Sequence, residues 1–323
     1  MWRFNTGPKP DEAGAETWPT RTIFRSAAER CGPRSRSTAP RASSTSRSPI
    51  RLPISRRRRP GKNLYTNAIV ALDVRTGKLR WYEQTVPNDD HDWDVTQVSP
   101  LWRGQAGGKE RVLVGVAGKD GILRALDRVT RETLYRTPVT TRENTEAPIT
   151  PAGVHVCPGL LGGVEWNGPA LHPELGLLYV PSVDWCSVYT EVEEFRFIPG
   201  KLYMGGILEM DEMRQGWITA VDAASGAVKW RYQSKLPRVA AVTATAGGVL
   251  FTGELTGDFL VLDAATGKDL YRFNTGGPMG GGAITYEMNG RQYIAVVSGK
   301  PSPGWALQEL GAATVFVFAL PEA

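Results

Sequence analysis

Short apolar, β-branched runs recur along the chain, and the same polar punctuation follows each. Asn67-Ala-Ile-Val-Ala-Leu72, Gly216-Trp-Ile-Thr-Ala-Val221 and Gly257-Asp-Phe-Leu-Val-Leu262 read as buried strands. Behind them comes Asp-x-x-Thr/Ser-Gly, which is hairpin chemistry. The Asp side chain accepts from the backbone ahead of it, and the glycine takes the positive φ that closes the turn. A second strand then ends on a large aromatic, as in Lys78-Leu-Arg-Trp81 and Ala227-Val-Lys-Trp230. The full line A-x-D-x-x-[ST]-G-x-x-x-W runs from Ala71 to Trp81 and from Ala220 to Trp230. Looser copies run from Ala125 to Tyr135, with Arg131 replacing the glycine, and from Val261 to Tyr271.

Strand, tight turn and strand with an aromatic clasp make half of a four-stranded propeller blade. The aspartates at 73, 127, 222 and 263 lie 54, 95 and 41 residues apart, and a blade takes about 40–50. The spacing predicts an all-β, partial β-propeller of about five blades. The long gap is expected to hide one undecorated blade, with strands in 163–190, clearest at Leu177-Leu-Tyr-Val-Pro181. Three parts follow: 1–20 as the end of a preceding blade, 21–60 as an irregular insert, and 61–323 as propeller blades. Trp2-Arg-Phe-Asn-Thr-Gly7 nearly repeats Tyr271-Arg-Phe-Asn-Thr-Gly276, so the chain is expected to be a fragment that begins inside a repeat. Five blades cannot close a ring, and terminal blades with bare edges and apolar faces should promote aggregation.

Composition changes the picture at one place. The net charge of +5 conceals residues 21–60, which carry 12 Arg, no Lys and one acid, Glu29; the remainder of the chain sums to −6. This Arg/Ser/Pro-rich segment reads either as a disordered basic arm or as a GC-rich gene translated in the wrong frame, and it sits where a blade should be. An arm of this kind can bind nucleic acid by counterion release. Phe24 is its only aromatic for stacking on bases, so no nucleic-acid partner is expected. No run is long and apolar enough for a membrane helix, and the N-terminus lacks the apolar core of a signal peptide. Of three cysteines, Cys157 and Cys186 flank the cryptic blade, either paired in an oxidising compartment or as two buried thiols. No Cys-x-x-Cys-His is present, so the chain carries no c-type haem site.

The chemistry concentrates in Pro87-Asn-Asp-Asp-His-Asp-Trp-Asp94, four carboxylates and an imidazole within six residues. Such a run is a solvated loop or a site for a cation and proton transfer. Downstream, Ala117-Gly-Lys-Asp-Gly121 places Lys119 in a glycine-flanked turn after the strand Val112-Leu-Val-Gly-Val116. A propeller directs inner strands toward one axis, so Asp92 and Lys119 are expected to share a funnel. A carboxylate base beside a fixed cation suits proton abstraction coupled to charge development on a carbonyl oxygen.

At this point the chain resembles the pyrroloquinoline quinone (PQQ)-dependent dehydrogenases, periplasmic eight-bladed propellers that oxidise alcohols and sugars. The likeness rests on Asn63-Leu-Tyr-Thr-Asn-Ala-Ile-Val-Ala-Leu-Asp73, Trp81-Tyr-Glu-Gln-Thr-Val-Pro87, His91-Asp-Trp-Asp94 and Lys119-Asp-Gly121. Gly162-Gly-Val-Glu-Trp-Asn-Gly168, Thr243-Ala-Thr-Ala-Gly-Gly248 and Asp269-Leu-Tyr-Arg-Phe-Asn-Thr-Gly276 extend it over most of 61–320. The resemblance implies the C-terminal part of that propeller and the cofactors PQQ and Ca²⁺. It makes Asp92 the catalytic base and a metal ligand, with Asp94 as the alternative. Lys119 would bind the reactive quinone oxygens, and Trp166 and Asn167 would approach the cofactor edge. The implied partners are an alcohol or sugar substrate and a separate cytochrome or quinone acceptor, in the periplasm. Departures are also expected. Glu165 stands where many members have Asn, and Val239 where some have Trp. Further metal ligands are expected upstream of Met1 or within 21–60, so this chain should bind Ca²⁺ and PQQ poorly or not at all. The rival expectation is a non-catalytic scaffold of the outer-membrane assembly lipoprotein type, which needs neither the acid cluster nor the lysine turn.

Overall fold

Each predicted hairpin forms, and the strands assemble into five antiparallel sheets among the described residues. The structure, a computed structural model, describes residues 2–18, 44–45, 61–95, 99–192, 205–306 and 311–319. The first sheet holds β1 (Ser44–Thr45), β2 (Ala68–Leu72) and β3 (Leu79–Gln84). The second holds β4 (Leu101–Ala106), β5 (Lys109–Ala117), β6 (Ile122–Asp127) and β7 (Thr133–Pro138). The third contains β8 (Val154–Val156), β9 (Ala170–His172), β10 (Leu177–Glu191), β11 (Gly206–Asp222) and β12 (Val228–Ser234). The fourth runs β13 (Thr243–Ala244), β14 (Val249–Gly253), β15 (Asp258–Asp263) and β16 (Asp269–Asn274). The fifth is β17 (Ala283–Met288), β18 (Arg291–Ser298) and β19 (Thr314–Ala319). The architecture is the expected partial propeller. Of the basic segment 21–60, only Ser44 and Thr45 are described, paired with Val70 and Ile69; the arm and frame readings otherwise lie outside the described residues.

One expectation is corrected. Among the described residues the 95-residue gap holds no separate blade, because β10 pairs with β11 from Leu177↔Asp222 to Glu191↔Gly206 in one sheet. The supposed cryptic strands belong to the Asp222 repeat itself. The extra length goes into this long hairpin and into the loops before it, and the fifth blade lies instead at 283–319. Uniform spacing assumes uniform strands, and β10 and β11 are 15 and 17 residues long.

In all four copies the repeated turn is capped by its aspartate. Asp73 Oδ1 accepts from the backbone N–H of Arg75 (3.0 Å) and Thr76 (2.9 Å) and from the Thr76 hydroxyl (3.0 Å), while the Gly77 N–H donates to Asp73 O at 2.7 Å. Asp222 repeats this set in full, Asp263 accepts from the N–H and hydroxyl of Thr266, and Asp127 accepts from the N–H groups of Val129 and Thr130. Arg131 takes the glycine position with φ 66°, a conformation that disfavours a side chain. The strand ladder slips once beside each turn, at Ala71/Leu72, Ala125/Leu126, Ala220/Val221 and Val261/Leu262.

The turn glycine is where the next blade's neighbour lands. A Cβ on Gly226 would sit 2.5 Å from the Tyr135 ring, and one on Gly267 2.6 Å from the Trp230 ring. Gly77 is covered likewise by the indole of Trp2, whose Nε1 donates to Val74 O at 2.9 Å. The aromatic on the last strand of one sheet therefore packs on the turn that leads into the last strand of the next. Between these clasps the sheets bury their faces against each other. Leu177, Tyr179 and Ile218 meet Leu250, Leu260 and Leu262, and Ala117 and Leu123 meet Val164, Leu178 and Val180. Among the described residues the outer face of the fifth sheet has no such cover: Ile284, Met288, Val297, Val315 and Val317 are exposed.

The clasp can be isolated by comparison. Gly267→Ala and Gly276→Ala both place a side chain at positive φ, 73° and 76°, but nothing lies within 4 Å at Gly276. Gly276→Ala should cost about 1 kcal/mol, and Gly267→Ala about 1–3 kcal/mol more through overpacking. Urea unfolding of the two variants measures the difference; equal losses would mean that the aromatic contact contributes nothing.

Candidate active site

Three segments meet around Lys119: the acid loop 89–95 after β3, the turn 118–121 between β5 and β6, and the loop 163–167 ahead of β9. Their backbones are tied together before any side chain is considered. The Lys119 N–H donates to Asp94 O at 3.0 Å, and the Val164 N–H donates to Gly118 O at 3.0 Å. Gly163, at φ 84°, lies flat against the Lys119 backbone, with no room for a Cβ. Only glycine meets both demands at that point.

The acid loop is a built turn, contrary to the bland reading of a solvated run. Asp89 accepts from the N–H groups of His91 (3.0 Å) and Trp93 (2.8 Å), which folds the loop back on itself. The His91 ring stacks on Trp93 with centroids 4.2 Å apart, and its carbonyl accepts from the Tyr189 hydroxyl at 3.1 Å. Trp93 Nε1 donates to Pro158 O at 3.2 Å, next to the Cys157–Cys186 disulfide. So anchored on both sides, the loop holds Asp92 at φ 64°, a strained conformation costing on the order of 1 kcal/mol.

That conformation aims the carboxylate at the lysine. Asp92 Oδ2 and Lys119 Nζ are 3.0 Å apart, although 27 residues separate them in the chain. Lys119 is 4 % exposed. Burial by itself would lower its pKa, yet the carboxyls of Asp92, Glu165 and Asp94 together hold it above the usual lysine range. The same crowding acts on the acids. Burial, then repulsion from Asp92, pushes Asp94 well up, with Lys119 opposing. Glu165 rises to about 7, chiefly through burial, with Lys119 opposing and Asp92 adding. Its Oε1 is buried with no hydrogen-bond partner among the described residues.

The sequence-named residues fare differently. Asp92 and Lys119 come together as expected, and Asp94 lies in their electrostatic reach. Trp166 is 39 % exposed and meets Trp305 edge-on, with ring centroids 5.9 Å apart. Asn167 is buried, and its Nδ2 is committed to Arg238 O (2.9 Å) and Ala240 O (3.2 Å), leaving only Oδ1 without a partner. Glu165 and Asp89 are the members that residue patterns did not single out. Glu165 was visible only as a departure from Asn, and Asp89 only as one acid among four. Val239 is buried beside Val183, Trp185, Leu255 and Trp305.

Three carboxyls against one ammonium leave an excess of acid in a confined space. Oxygen donors without thiol or imidazole suit a hard cation such as Ca²⁺ or a lanthanide, and a bound cation would relieve the repulsion that lifts Asp94 and Glu165. The residues present fit part of such a site. Among the described residues, Asp92, Asp94 and Glu165 do not gather their oxygens as closely as Asp89, Asp90 and His91 do, whose ligand atoms lie within 4.8 Å of one another.

Without a cation, stability should report the crowding. Glu165 has a higher pKa folded than its ordinary 4.5, so the folded state binds the proton more tightly. The contribution of Glu165 to stability is then fully present below about pH 4.5, is lost as pH rises toward 7, and is level above. The full loss is on the order of 3 kcal/mol. Glu165→Gln should remove its share of this slope in urea unfolding between pH 4.5 and 8. An unchanged slope would place the proton elsewhere.

Residues 53–144 match the family described as glucose/ethanol/alcohol dehydrogenase, beta-propeller domain, and residues 214–304 match that described as outer membrane protein assembly factor BamB. The chain is 32 % identical over 264 residues to the quinoprotein ethanol dehydrogenase of Pseudomonas aeruginosa, covering 73 % of this chain and 42 % of that protein. It is 32 % identical over 285 residues to the lanthanide-dependent methanol dehydrogenase of Methylorubrum extorquens, covering 77 % and 46 %. The quinohemoprotein alcohol dehydrogenase structure from Comamonas testosteroni superposes with a TM-score of 0.74 at 26 % identity, covering 81 % and 44 %. The chain thus spans about half the length of the curated relatives it matches.

Proposed function

The chain belongs to the PQQ-dependent, or quinoprotein, alcohol dehydrogenase family, and we propose that its blades carry the proton-handling half of an alcohol- or sugar-oxidising centre. The observation that carries this reading is the Asp92–Lys119 pair, closed to 3.0 Å between two blades with a second carboxyl, Glu165, buried beside it. Oxidising a hydroxyl removes a proton from oxygen and a hydride from carbon. PQQ, when bound, supplies the electrophilic carbonyl that accepts the hydride, and a hard cation polarises that carbonyl. Asp92 takes the hydroxyl proton at a carboxylate oxygen. Lys119, fixed by its backbone clamp, offers positive charge where negative charge develops. Trp166 presents an exposed aromatic wall to a flat ring, and Asp92, Asp94 and Glu165 are the residues to hold the cation. Asn167, with its amide nitrogen already committed, supports the 238–240 backbone and offers at most its oxygen to a cofactor. Electrons would leave through a separate cytochrome or quinone, in the periplasm.

A scaffold reading draws on the BamB-type match over 214–304. That match covers the region without the acid loop or the lysine turn. A scaffold also has no use for a strained aspartate against a buried lysine. The two readings differ in what the protein binds.

The test supplies PQQ with Ca²⁺ or La³⁺ and follows both quenching of protein fluorescence by PQQ and dye-linked oxidation of a primary alcohol. Binding should saturate, and Lys119→Ala should weaken it by about tenfold or more, the loss of one buried charge-assisted contact. Asp92→Asn should lower kcat by about 10²–10⁴ with little change in KM. Absence of any PQQ binding would favour the scaffold, and undiminished turnover in Asp92→Asn would refute its role as base.

A further inference from the structure

Outside the proposed centre, a second cluster of metal-ligating side chains lies in the third blade, and the fold builds it from three segments. His155 ends in a ladder with β10 (His155↔Val188), which sets Cys157 opposite Cys186 with Cα atoms 4.5 Å apart. Glu143 is fastened to Cys157 by a reciprocal backbone pair, Glu143 N–H to Cys157 O at 2.9 Å and Cys157 N–H to Glu143 O at 3.0 Å. Between Trp185↔Arg214 and Ser187↔Met210 the β10–β11 ladder bulges, opposing Cys186 alone to Asp211, Glu212 and Met213. The bulge turns Asp211 back toward β8, where its Oδ2 lies 2.9 Å from His155 Nε2. On the other side of the ring, Nδ1 is 3.6 Å from Glu143 Oε1, and Glu143 Oε2 is 4.0 Å from Cys157 Sγ. A ring nitrogen of His155 and the sulfurs of Cys157 and Cys186 lie within 4.8 Å of one another.

We propose that this cluster is a redox-gated zinc site: closed as a disulfide, and open to Zn²⁺ through Cys157, Cys186, His155 and Glu143 once the disulfide is reduced. Two thiolates, an imidazole and a carboxylate are the donor types tetrahedral zinc takes. Asp211 on the far ring nitrogen is the orienting partner that metal-bound histidines commonly have. A bulge that spends three residues to place one carboxylate on a histidine is a costly way to make a surface ion pair, and an economical way to aim a ligand. The gate balances with a dithiol reductant. The dithiol gives two electrons and two protons to the Cys157–Cys186 bond and becomes a disulfide; two thiols form. Zn²⁺ then displaces both thiol protons and is held by two thiolates. The framework does not depend on the sulfur–sulfur bond, because the 143–157 backbone pair and the β8–β10 ladder remain. Cys157 is buried, while Cys186 is partly exposed, which gives the reductant an entry. The site also touches the proposed centre through Pro158, whose carbonyl receives Trp93 Nε1 from the acid loop.

The experiment uses the full chain with Cys31→Ser, so that only the pair can respond. The oxidised and phosphine-reduced proteins are titrated with Co²⁺, read by thiolate-to-cobalt charge-transfer and tetrahedral ligand-field bands, and then with Zn²⁺ as competitor. One equivalent of Co²⁺ should bind to the reduced protein alone, with the bands bleached by Zn²⁺. His155→Ala should abolish or shift the bands, and Asp211→Asn should weaken affinity about 10–100-fold. Circular dichroism accompanies each titration. A reduced protein that keeps its strand signal but shows no bands overturns the proposal, and so do bands unchanged in His155→Ala. Loss of the strand signal on reduction overturns it as well, because the site requires a ladder that survives without the disulfide.

Discussion

A sheet with two apolar faces must press both against something, and in this chain the something is another sheet. That requirement governs the rest of the molecule. Each repeat delivers a capped turn with a glycine that leaves room, and an aromatic that fills the room left by the repeat after it. Tyr135 over Gly226 and Trp230 over Gly267 set the spacing of neighbouring blades, and the buried faces between them supply most of the driving force. The aspartate contributes differently. By gathering two backbone N–H groups and a hydroxyl it makes the turn rigid enough for the glycine to arrive in place.

Stacked in this way, the blades bring together loops that no local rule would join. The acid loop belongs to the first blade, Lys119 to the second, and Glu165 to the third. Their meeting is an electrostatic compromise: a buried ammonium tolerated because three carboxyls surround it, and carboxyls whose excess is relieved only by protons or a cation. The strain at Asp92 is maintained by tight local bonding through Asp89, Trp93 and Tyr189. Rigid surroundings that sustain an unfavourable backbone conformation are the expected setting for reactive geometry.

The third blade shows how a repeat can be stretched without losing its identity. β10 and β11 outrun the other strands, carry a bulge, and cover the back of the acid loop with Tyr189 and the Cys157–Cys186 crosslink. A spacing rule counts such an excursion as a missing unit, because it measures chain length rather than sheets. Among the described residues the 95-residue interval forms one elaborated blade, with buried interblade cores on both its sides.

What the sequence determined by itself was local and periodic. Strands, turns, aromatic clasps and the all-β architecture follow from patterns within about ten residues of each other, where hydrogen bonding and side-chain alternation are decided by neighbours. It also marked Asp92 and Lys119, since an acid run and a glycine-flanked lysine are unusual wherever they occur. Only the tertiary structure decided that the two touch, that Asp89 is a cap rather than a ligand to Lys119, and that Asn167 spends its amide on the backbone of 238 and 240. The same holds for Glu165, whose elevated pKa comes from burial beside groups 46 and 73 residues away. Burial and charge are properties of the space between blades, and that space has no address in the linear order of residues.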